Sequence, residues 1–496
     1  MNLATLAEEN VRRYGEYTAL AFEGREITNL DQQRAANRLA HALAKLGVSV
    51  GDRVVVMLPN CPEVLQAYAA IFKLGAVVVP VVFLLSADEV RHILADAEAK
   101  VVLTSPELAA KVEGWPGTTI LVGDSTGAGA IGFDEIVARE TDTFTTVPRD
   151  ERDLAVILYT AGTTGRSKGV ALSHGNLAFN ARSTASLFEL DRERWGMGVL
   201  PLSHSYGLTL MNAGNILGTR AVLLRWFTPE LVLETIQRYR VQSMSGVPTM
   251  YVYLLHYPDA DRFDTSSMLL WGSGAAPLPL EIVEPFEKKF GGRMQEGYGL
   301  TEASPVVSGH RFSGVRKLGS VGQPLPGVEV AIKDDDDRTL PTGATGEVCV
   351  RGRNVMLGYY RMPEETARTV RGGWLHTGDV GRLDEDGFLF IVERKKDLII
   401  RGGFNIYPRE VEEVLYAHPK IAEAAVVGMR DPLMGEDVLA FVVLKTGEHA
   451  GAEEVMEFCA TRLARYKCPK QVRFVDALPK SPIGKILRKV LRARVS

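Results

Sequence analysis

The hydrophobic positions of the first 150 residues alternate between two periods, one typical of amphipathic helices and one of buried strands. Apolar residues recur at helical spacing in three segments, and short apolar runs lie between these segments. The predicted helices are 30–46, 63–73 and 87–97, and the predicted strands are 53–58, 75–82 and 101–104. Such alternation is typical of an α/β domain whose parallel strands are joined by crossover connections. The periodicity fades over 125–152, which predicts an irregular connection.

A second α/β pattern begins at residue 154 and gives way to shorter runs near residue 319. The first part predicts strands at 154–158, 221–224 and 269–272 and a helix at 229–239. The second part predicts short strands separated by turns at 328–332, 346–350 and 388–391. The last part predicts a helix at 408–417, strands at 424–427 and 438–444, and a helix at 452–462. This final stretch has the size of a small α+β domain.

Length and composition predict a globular protein of several domains. A chain of 496 residues is too long to fold around a single hydrophobic core. Its content of 46% hydrophobic and 24% charged residues is typical of globular proteins. The formal net charge of −4 offers no basic face, so nucleic acid is not expected as a partner. The first 14 residues do not resemble a secretory leader, and no apolar run reaches the ~18 residues of a membrane span. We therefore expect no integral membrane segment.

The four cysteines are scattered without the paired spacing of zinc-binding motifs. They are Cys61, Cys349, Cys459 and Cys468. This pattern predicts no zinc site and fits a reduced, cytoplasmic setting, in which the thiols act as small apolar side chains.

The most informative segment is 159–169, YTAGTTGRSKG, which follows a predicted buried strand. Glycines let the backbone curl so that its N–H groups converge, while threonine hydroxyls and one ammonium group add donors. The spacing differs from the G-x-x-x-x-G-K-[ST] loop, so we predict a phosphate-binding loop of another kind. The candidate ligands are Thr160, Ala161, Gly162, Thr163, Thr164, Gly165 and Lys168.

Two further clusters suit a nucleotide. Gly274, Ala275 and Ala276 follow a predicted strand and leave room for a flat ring against the backbone. In the segment 296–302, EGYGLTE, Tyr298 lies between glycines that leave its ring free for stacking, and Glu302 offers a carboxylate for Mg²⁺. Either cluster alone also fits a simple turn.

Three clusters near the C-terminus complete the set of candidates. Asp379, in the segment HTGD, suits the hydroxyl groups of a ribose. A charged run at 393–397 is followed by Gly402 and Gly403, which predicts a hinge between domains. Lys485 follows a glycine in an irregular loop.

The order of these motifs along the chain is more informative about the family than any single motif. YTAGTTGRSKG, LPLSHSYGL, GYGLTEASP, GEVCVRG, HTGD, ERKKDLIIRGGFNIYP and PIGK follow one another along the chain. With them, the chain closely resembles the adenylate-forming superfamily of acyl-CoA synthetases, peptide-synthetase adenylation domains and beetle luciferases, over about residues 10–490. The resemblance implies an α/β fold in which α/β subdomains and a small β-barrel-like subdomain form a large N-terminal domain, 1–394. A small, mobile α+β C-terminal domain, 395–496, follows a hinge near Lys396.

The resemblance also implies the site and the reaction. ATP and a carboxylic acid form an acyl-adenylate and pyrophosphate, and the thiol of coenzyme A then takes the acyl group. The loop 160–168 would hold the β- and γ-phosphates, with Thr160 and Glu302 near Mg²⁺. The other implied nucleotide ligands are Gly274, Ala275, Ala276, Glu296, Gly297, Tyr298, Gly299, Thr301, Asp379 and Arg394.

The remaining implied roles belong to the C-terminal domain. Lys485 would bridge the carboxylate and the α-phosphate and would act with Thr160 and Glu302 as a catalytic residue. Rotation about Lys396 would bring Gly402 and Gly403 beside the pantetheine tunnel. Two residues depart from the family pattern, since Ala161 replaces a hydroxyl residue and Ser167 a proline.

The identity of the acid is the least determined feature. His204, Tyr206, Trp271 and Gly297 are predicted on the acyl side, with His204 also a catalytic candidate and Trp271 equally compatible with core packing. Gly297 replaces the arginine of relatives that use malonate-type diacids, and 199–202 lacks the aspartate that amino-acid activators use. A medium- or long-chain fatty acid is the leading prediction, and an aryl acid of the benzoate or hydroxycinnamate type is the alternative.

Other functions remain open at this point. They are luciferase-like oxidation of the adenylate, transfer of the acyl group to a carrier protein in trans, and nucleotide sensing without catalysis. Lys485 and Lys396 argue against a sensor. The sequence is also compatible with a homodimer.

Overall fold

The computed structural model describes residues 1–124, 129–160, 167–402, 404–481 and 484–495. Two mixed sheets covered by helices form most of the N-terminal region, as the alternating pattern predicts. Within these residues no helix is long and apolar enough to cross a bilayer.

The first sheet has seven strands, and its carboxyl-terminal edge carries many of the candidate residues. In spatial order the strands are Arg293–Glu296, Leu270–Ser273, Ser243–Gly246, Trp195–Gly198, Arg220–Leu223, Thr18–Phe22 and Arg25–Thr28. All neighbouring pairs are parallel except the last, which is an antiparallel hairpin. Parallel strands place their carboxyl ends at one edge, where ligands bind in open α/β sheets.

The second sheet has eight strands and ends in a hairpin around the predicted phosphate loop. In spatial order the strands are Gly358–Tyr359, Lys168–Ser173, Leu154–Thr160, Val77–Pro80, Arg53–Met57, Ala99–Thr104, Thr118–Leu121 and Ile131–Gly132. The predicted parallel arrangement holds from Val77–Pro80 outward. However, Leu154–Thr160 pairs antiparallel with Lys168–Ser173, so the loop joins two strands of a hairpin.

Several of the N-terminal helices begin where a capping side chain satisfies a free N–H group of the first turn. The predicted helix 30–46 is observed at Asn29–Lys45, because the Thr28 side chain accepts a hydrogen bond from the N–H of Asp31. The other N-terminal helices are Thr5–Tyr14, Pro62–Lys73, Ala87–Asp96, Phe133–Val137, His174–Ala185, Ser205–Leu217, Pro229–Tyr239, Pro248–Leu255, Val283–Phe290 and Pro363–Thr369. Phe133–Val137 lies in the stretch that was expected to be irregular.

Antiparallel strands form the small β subdomain that the shorter runs predict. Tyr298–Gly299, Val306–Gly309 and Gln323–Pro324 form a three-stranded sheet. A five-stranded sheet contains Val328–Lys333, Gly346–Gly352, Trp374–Leu383, Val370–Arg371 and Leu389–Arg394.

The C-terminal region is a small α+β domain with its own core. Its sheet contains Phe404–Ile406, Ile399–Arg401, Gly435–Leu444, Ile421–Asp431 and Gln471–Phe474, and its helices are Pro408–Tyr416, Ala452–Ala460 and Arg488–Ala493. Ile399, Val411 and Val426 are among the residues of this separate core. The division into a large and a small domain is therefore confirmed, while the boundary at 394/395 stays a prediction.

Candidate active site

The carboxyl ends of three neighbouring strands form a narrow slot at the edge of the seven-stranded sheet. Gly246, Ser273 and Glu296 are aligned across these strands. Gly297 follows the third strand, and its N–H donates to the carbonyl oxygen of Ser273 at 2.9 Å. A Cβ atom at Gly274 would lie 3.2 Å from the ring of Tyr206, a tight contact, so glycine leaves room between the backbone and this ring.

The turn after Gly274 adopts a conformation that few side chains accept. Ala275 has φ +67°, in the left-handed region. The buried carboxylate of Glu296 accepts a hydrogen bond from the N–H of Leu278, which ties this turn to the neighbouring strand. Burial raises the pKa of Glu296 to about 7. Glu296 thus holds the turn in position.

Asp379 is the centre of a buried hydrogen-bonded group. The hydroxyl of Tyr298 donates to its Oδ2 at 2.6 Å, and Nε of Arg394 lies 2.9 Å from its Oδ1. Asp379 and Arg394 are paired across neighbouring strands, so the sheet register sets their distance. The charge of Asp379 raises the pKa of Arg394 above its usual value. The carboxylate therefore orients both the tyrosine ring and the guanidinium.

Lys485 reaches this group from the C-terminal domain. Burial and the Arg394 charge together lower its pKa to about 8, and the charge of Asp379 partly opposes this change. The preceding residue, Gly484, contacts Thr249, whose Oγ1 lies 3.5 Å from the Gly484 carbonyl oxygen. A second contact joins Nζ of Lys480 to the hydroxyl of Tyr253 at 2.9 Å. Both contacts dock the C-terminal tail on the helix Pro248–Leu255.

His204 and Tyr206 lie at the start of the helix Ser205–Leu217. Nδ1 of His204 accepts a hydrogen bond from the N–H of Tyr206 at 3.2 Å and caps that helix. Burial lowers the pKa of His204 to about 4, and the charge of Lys485 acts in the same direction. The imidazole is therefore neutral at neutral pH and close enough to Lys485 to respond to its charge. The hydroxyl of Tyr206 is hydrogen-bonded to the side chain of Ser245.

Lys168 and Glu302 meet around Tyr359, which the sequence analysis did not identify. The Lys168 ammonium lies 5.4 Å from the Tyr359 ring centroid and forms an ion pair with Glu365. The Tyr359 hydroxyl donates to Oε1 of Glu302 at 3.0 Å. Thr160 is the strand partner of Lys168. The only signal for Tyr359 was an aromatic pair after a glycine at 358–360.

The neighbours of Glu302 lie in the same corner of the site. The Thr301 hydroxyl is 3.4 Å from that of Ser205. A side chain at Gly299 would collide with the carbonyl oxygen of Pro305 at 2.2 Å, so glycine lets these two segments approach. Ala161, Gly162, Thr163, Thr164 and Gly165 lie outside the described residues.

The prediction that Trp271 lines the acyl side is wrong. Its side chain is fully buried in the core, with Tyr251, Phe286 and Phe290 around it. Its indole N–H donates to the carbonyl oxygen of Gly291 at 2.8 Å. Side chains alternate between the two faces of a strand, and the register sends this one into the layer between sheet and helices.

The predicted hinge residue Lys396 also lies near this group, because burial, the Arg394 charge and the charge of Lys396 all lower the pKa of Lys485. Lys396 lies in the short helical turn Lys395–Asp397 between the domains. Gly402 has φ +57°, and its N–H donates to the carbonyl oxygen of Met434 at 2.8 Å within the C-terminal domain. Gly403 is outside the described residues.

A cavity of about 290 Å³ begins beside this site. Gly207 and Ser245 line it next to Tyr206, and Leu210 and Met211 continue it along the helix Ser205–Leu217. It extends to the first and third helices of the chain, where Leu3, Ala7, Ala69 and Phe72 line it. The cavity is long and mainly apolar.

Comparison with known proteins matches this architecture. The model of the AMP-binding enzyme family matches residues 7–360, and that of the AMP-binding enzyme C-terminal domain matches residues 410–485. The chain belongs to the AMP-binding enzyme family. The predicted family and the expectation of an AMP-forming acid–CoA ligase are therefore confirmed.

Individual members of the family differ in the acids that their names specify. The chain is 39% identical to a long-chain-fatty-acid–CoA ligase of Bacillus subtilis, over 99% of this chain and 94% of that protein. It is 37% identical to a feruloyl-CoA synthase of Amycolatopsis, over 96% of both chains. Among solved structures, ATP-bound MatB from Rhodopseudomonas palustris matches with a TM-score of 0.92 and 34% identity, over 100% of this chain and 99% of that chain.

Proposed function

We propose that this AMP-binding enzyme activates a medium- or long-chain fatty acid as an acyl-adenylate and transfers it to coenzyme A. The observation that carries the activation step is the position of Lys485 beside Asp379, Arg394 and His204. The observation that favours a fatty acid is the cavity that continues from Gly207 to the N-terminal helices. An extended apolar cavity suits an alkyl chain better than a single ring.

Each part of the nucleotide would contact a different group of site residues. The loop 160–168 would hold the β- and γ-phosphates. Lys168 would break its ion pair with Glu365 and bind these phosphates instead. The adenine ring would lie in the slot between Gly274–Ala276 and the ring of Tyr298. Asp379 would accept hydrogen bonds from the ribose hydroxyls, with Arg394 beside it.

Thr160 and Glu302 are the residues that would hold Mg²⁺. The fit rests on their donor chemistry, since a hydroxyl and a carboxylate are hard oxygen ligands, and Tyr359 occupies only one carboxylate oxygen of Glu302. When bound, Mg²⁺ supplies positive charge next to the phosphate oxygens.

The first chemical step is an in-line displacement at phosphorus. A carboxylate oxygen of the acid attacks the α-phosphorus of ATP, and the bond to the bridging oxygen breaks, so that pyrophosphate leaves with both bonding electrons. Negative charge grows on the α-phosphoryl oxygens. The ammonium group of Lys485 would stabilise this charge while neutral His204 adds no competing cation.

The second step needs a different arrangement of the domains. The thiol of coenzyme A loses its proton and attacks the acyl carbonyl carbon, and AMP leaves with the electron pair of the C–O bond. Lys485 must first withdraw to admit the thiol. Rotation about Lys396 would achieve this and bring Gly402 and Gly403 to the site.

A hydroxylated aryl acid is the second candidate substrate. Gln32 also lines the cavity, and its amide oxygen and nitrogen are buried without a hydrogen-bond partner among the described residues. A phenolic hydroxyl at the far end of a substrate would satisfy this amide. The similarity to a feruloyl-CoA synthase supports the same alternative.

An acid panel separates these candidates. Pyrophosphate release should be fastest with fatty acids from octanoate to palmitate, and the CoA thioester should accumulate only when CoA is present. An optimum on ferulate or coumarate, without turnover of the alkyl acids, would replace the leading candidate. Adenylate that is passed only to an added carrier protein would identify an acyl-AMP ligase. A cytoplasmic location and a homodimer stay predictions.

Filling the cavity should shorten the preferred chain. Ala69→Phe places a ring in the wall of the cavity. We therefore expect kcat/KM for palmitate to fall by about tenfold or more, while kcat/KM for octanoate stays near the wild-type value. Gln66→Ala, on the same helix and outside the cavity, is the matched control. Equal losses on both acids would contradict this position for the acyl chain.

Adenylation should decline as the pH rises through about 8. Burial holds the pKa of Lys485 near this value, so the ammonium form that the first step requires is present below it and lost above it. We expect kcat/KM for ATP to fall about tenfold per pH unit above that point, measured by pyrophosphate release. A profile that stays level to about pH 10 would show that the charge of Lys485 is not required.

A further inference from the structure

Three side chains with metal-binding atoms meet behind the Asp379 turn, apart from the nucleotide residues. Glu347 and Cys349 point to the same face of the strand Gly346–Gly352, and His376 is the cross-strand partner of Cys349. Nδ1 of His376 lies 3.4 Å from Sγ of Cys349 and 3.4 Å from Oε2 of Glu347. All three potential ligand atoms lie within 4.8 Å of one another.

The two separations from Nδ1 of His376 match the edges of a metal coordination tetrahedron. Zinc bonds to nitrogen, oxygen and thiolate sulfur measure about 2.0–2.3 Å, which places neighbouring ligand atoms about 3.3–3.6 Å apart. The two measured distances of 3.4 Å fall in this interval. Because two paired strands carry the ligands, the backbone need not move to bring them together.

The surroundings of His376 supply the second feature of a metal site. The residue is only 7% exposed, and its Nε2 has no hydrogen-bond partner among the described residues. Oδ1 of Asp337 lies 3.6 Å from this nitrogen. In metal sites a carboxylate commonly faces the second ring nitrogen and directs the first toward the ion. Asp337 is positioned for that role.

Glu347 directs one carboxylate oxygen toward Cys349 and His376. Its Oε1 accepts a hydrogen bond from the N–H of Gly378 at 3.1 Å, whereas Oε2 faces His376. Lys395 is 3.7 Å from Oε2. One carboxylate, one thiolate and a neutral imidazole bring two negative charges to this buried position, of which Lys395 offsets a part and a divalent cation would neutralise the rest.

We propose that Glu347, Cys349 and His376 bind a thiophilic divalent cation of the zinc type, with Asp337 orienting the imidazole. Binding forms bonds from the metal to Oε2, Sγ and Nδ1 and releases the thiol proton of Cys349 to solvent. A water molecule completes the tetrahedron. This site is separate from the proposed Mg²⁺ position at Thr160 and Glu302. It also contrasts with the expectation from cysteine spacing alone, because only one of its ligands is a cysteine.

Cobalt(II) is the probe that tests this site in the full-length enzyme. Titration of chelator-treated protein should give a thiolate-to-cobalt charge-transfer band in the near ultraviolet and intense visible d–d bands, both saturating at one equivalent. Zinc added afterwards should remove them. Cys468→Ser, a cysteine of the C-terminal domain outside the cluster, should leave the spectrum unchanged.

Cys349→Ser should abolish the charge-transfer band. His376→Gln keeps the thiol and should lower the cobalt affinity at least tenfold, so it tests ligation even if the serine variant is poorly folded. Far-ultraviolet circular dichroism in chelator checks the fold of each variant. Absence of the band in the wild-type protein, or its survival in folded Cys349→Ser, would overturn the proposal. Either result leaves the acyl-CoA ligase proposal untouched, because that proposal does not use these residues.

Discussion

Lys485→Ala is expected to slow acyl-adenylate formation by on the order of 10²–10³-fold, about 2.7–4 kcal/mol of barrier. The side chain of Lys485 is half-buried, and its ammonium group is near enough to Arg394 and Asp379 for their charges to act on its pKa. Its attraction for the developing phosphoryl charge is therefore strong, and alanine offers nothing in its place. Pyrophosphate release in the presence of the acid and ATP measures this step.

Two controls distinguish loss of the adenylation chemistry from a general loss of activity. Lys489→Ala removes an exposed lysine four residues further along the tail and should leave the rate within about twofold. Preformed acyl-AMP should react with CoA at nearly the wild-type rate in Lys485→Ala, because the second step does not use this lysine. Adenylation that is unchanged in Lys485→Ala, or an equal loss in both half-reactions, would rule out the role proposed for this side chain.

Asp379→Ala is expected to lower kcat/KM for ATP by about 10²-fold or more. The substitution removes the acceptor proposed for the ribose hydroxyls, and hydrogen bonds to a charged group contribute about 1.5–3 kcal/mol. It also leaves Arg394 without its partner at 2.9 Å and the Tyr298 hydroxyl without its acceptor at 2.6 Å. We expect the KM for ATP to rise more than the KM for the acid.

Asp386→Ala is the matched control for this substitution. Asp386 is exposed and pairs with Lys317 on the surface, so its removal should change little. Thermal unfolding of both variants shows whether the Asp379 substitution acts through the fold. A KM for ATP that remains at the wild-type value in a folded Asp379→Ala protein would exclude the ribose contact.

The helices and strands that local patterns predict are observed to within a few residues. The helix Pro229–Tyr239 has the predicted bounds, and Asn29–Lys45 differs by one residue at each end. These segments carry their own signals, namely apolar spacing, a capping residue and proline in the first turn. The antiparallel return of Lys168–Ser173 was not predicted, because strand direction depends on which neighbours pair.

In the candidate site, too, the sequence indicates residue types but not which residues contact one another. Its residue types could be read from motifs, because glycine-rich turns, acidic residues and isolated lysines are visible in the sequence. Trp271 was misplaced because an apolar run does not say which face of a strand a side chain occupies. Tyr359 was missed since nothing in its local sequence connects it with Glu302, which is its hydrogen-bond acceptor in the fold.

The amino-acid sequence by itself determined the α/β class, the family and the residues that suit phosphate, adenine, ribose and carboxylate chemistry. Only the tertiary structure decided which of these residues meet. Lys485 and Asp379 are separated by about a hundred positions along the chain and come together through the docking of Gly484 on Thr249. Glu347, Cys349 and His376 meet because strand register sets cross-strand neighbours. Periodicity and motifs record local preferences, whereas such encounters arise from sheet pairing and domain packing over long sequence distances.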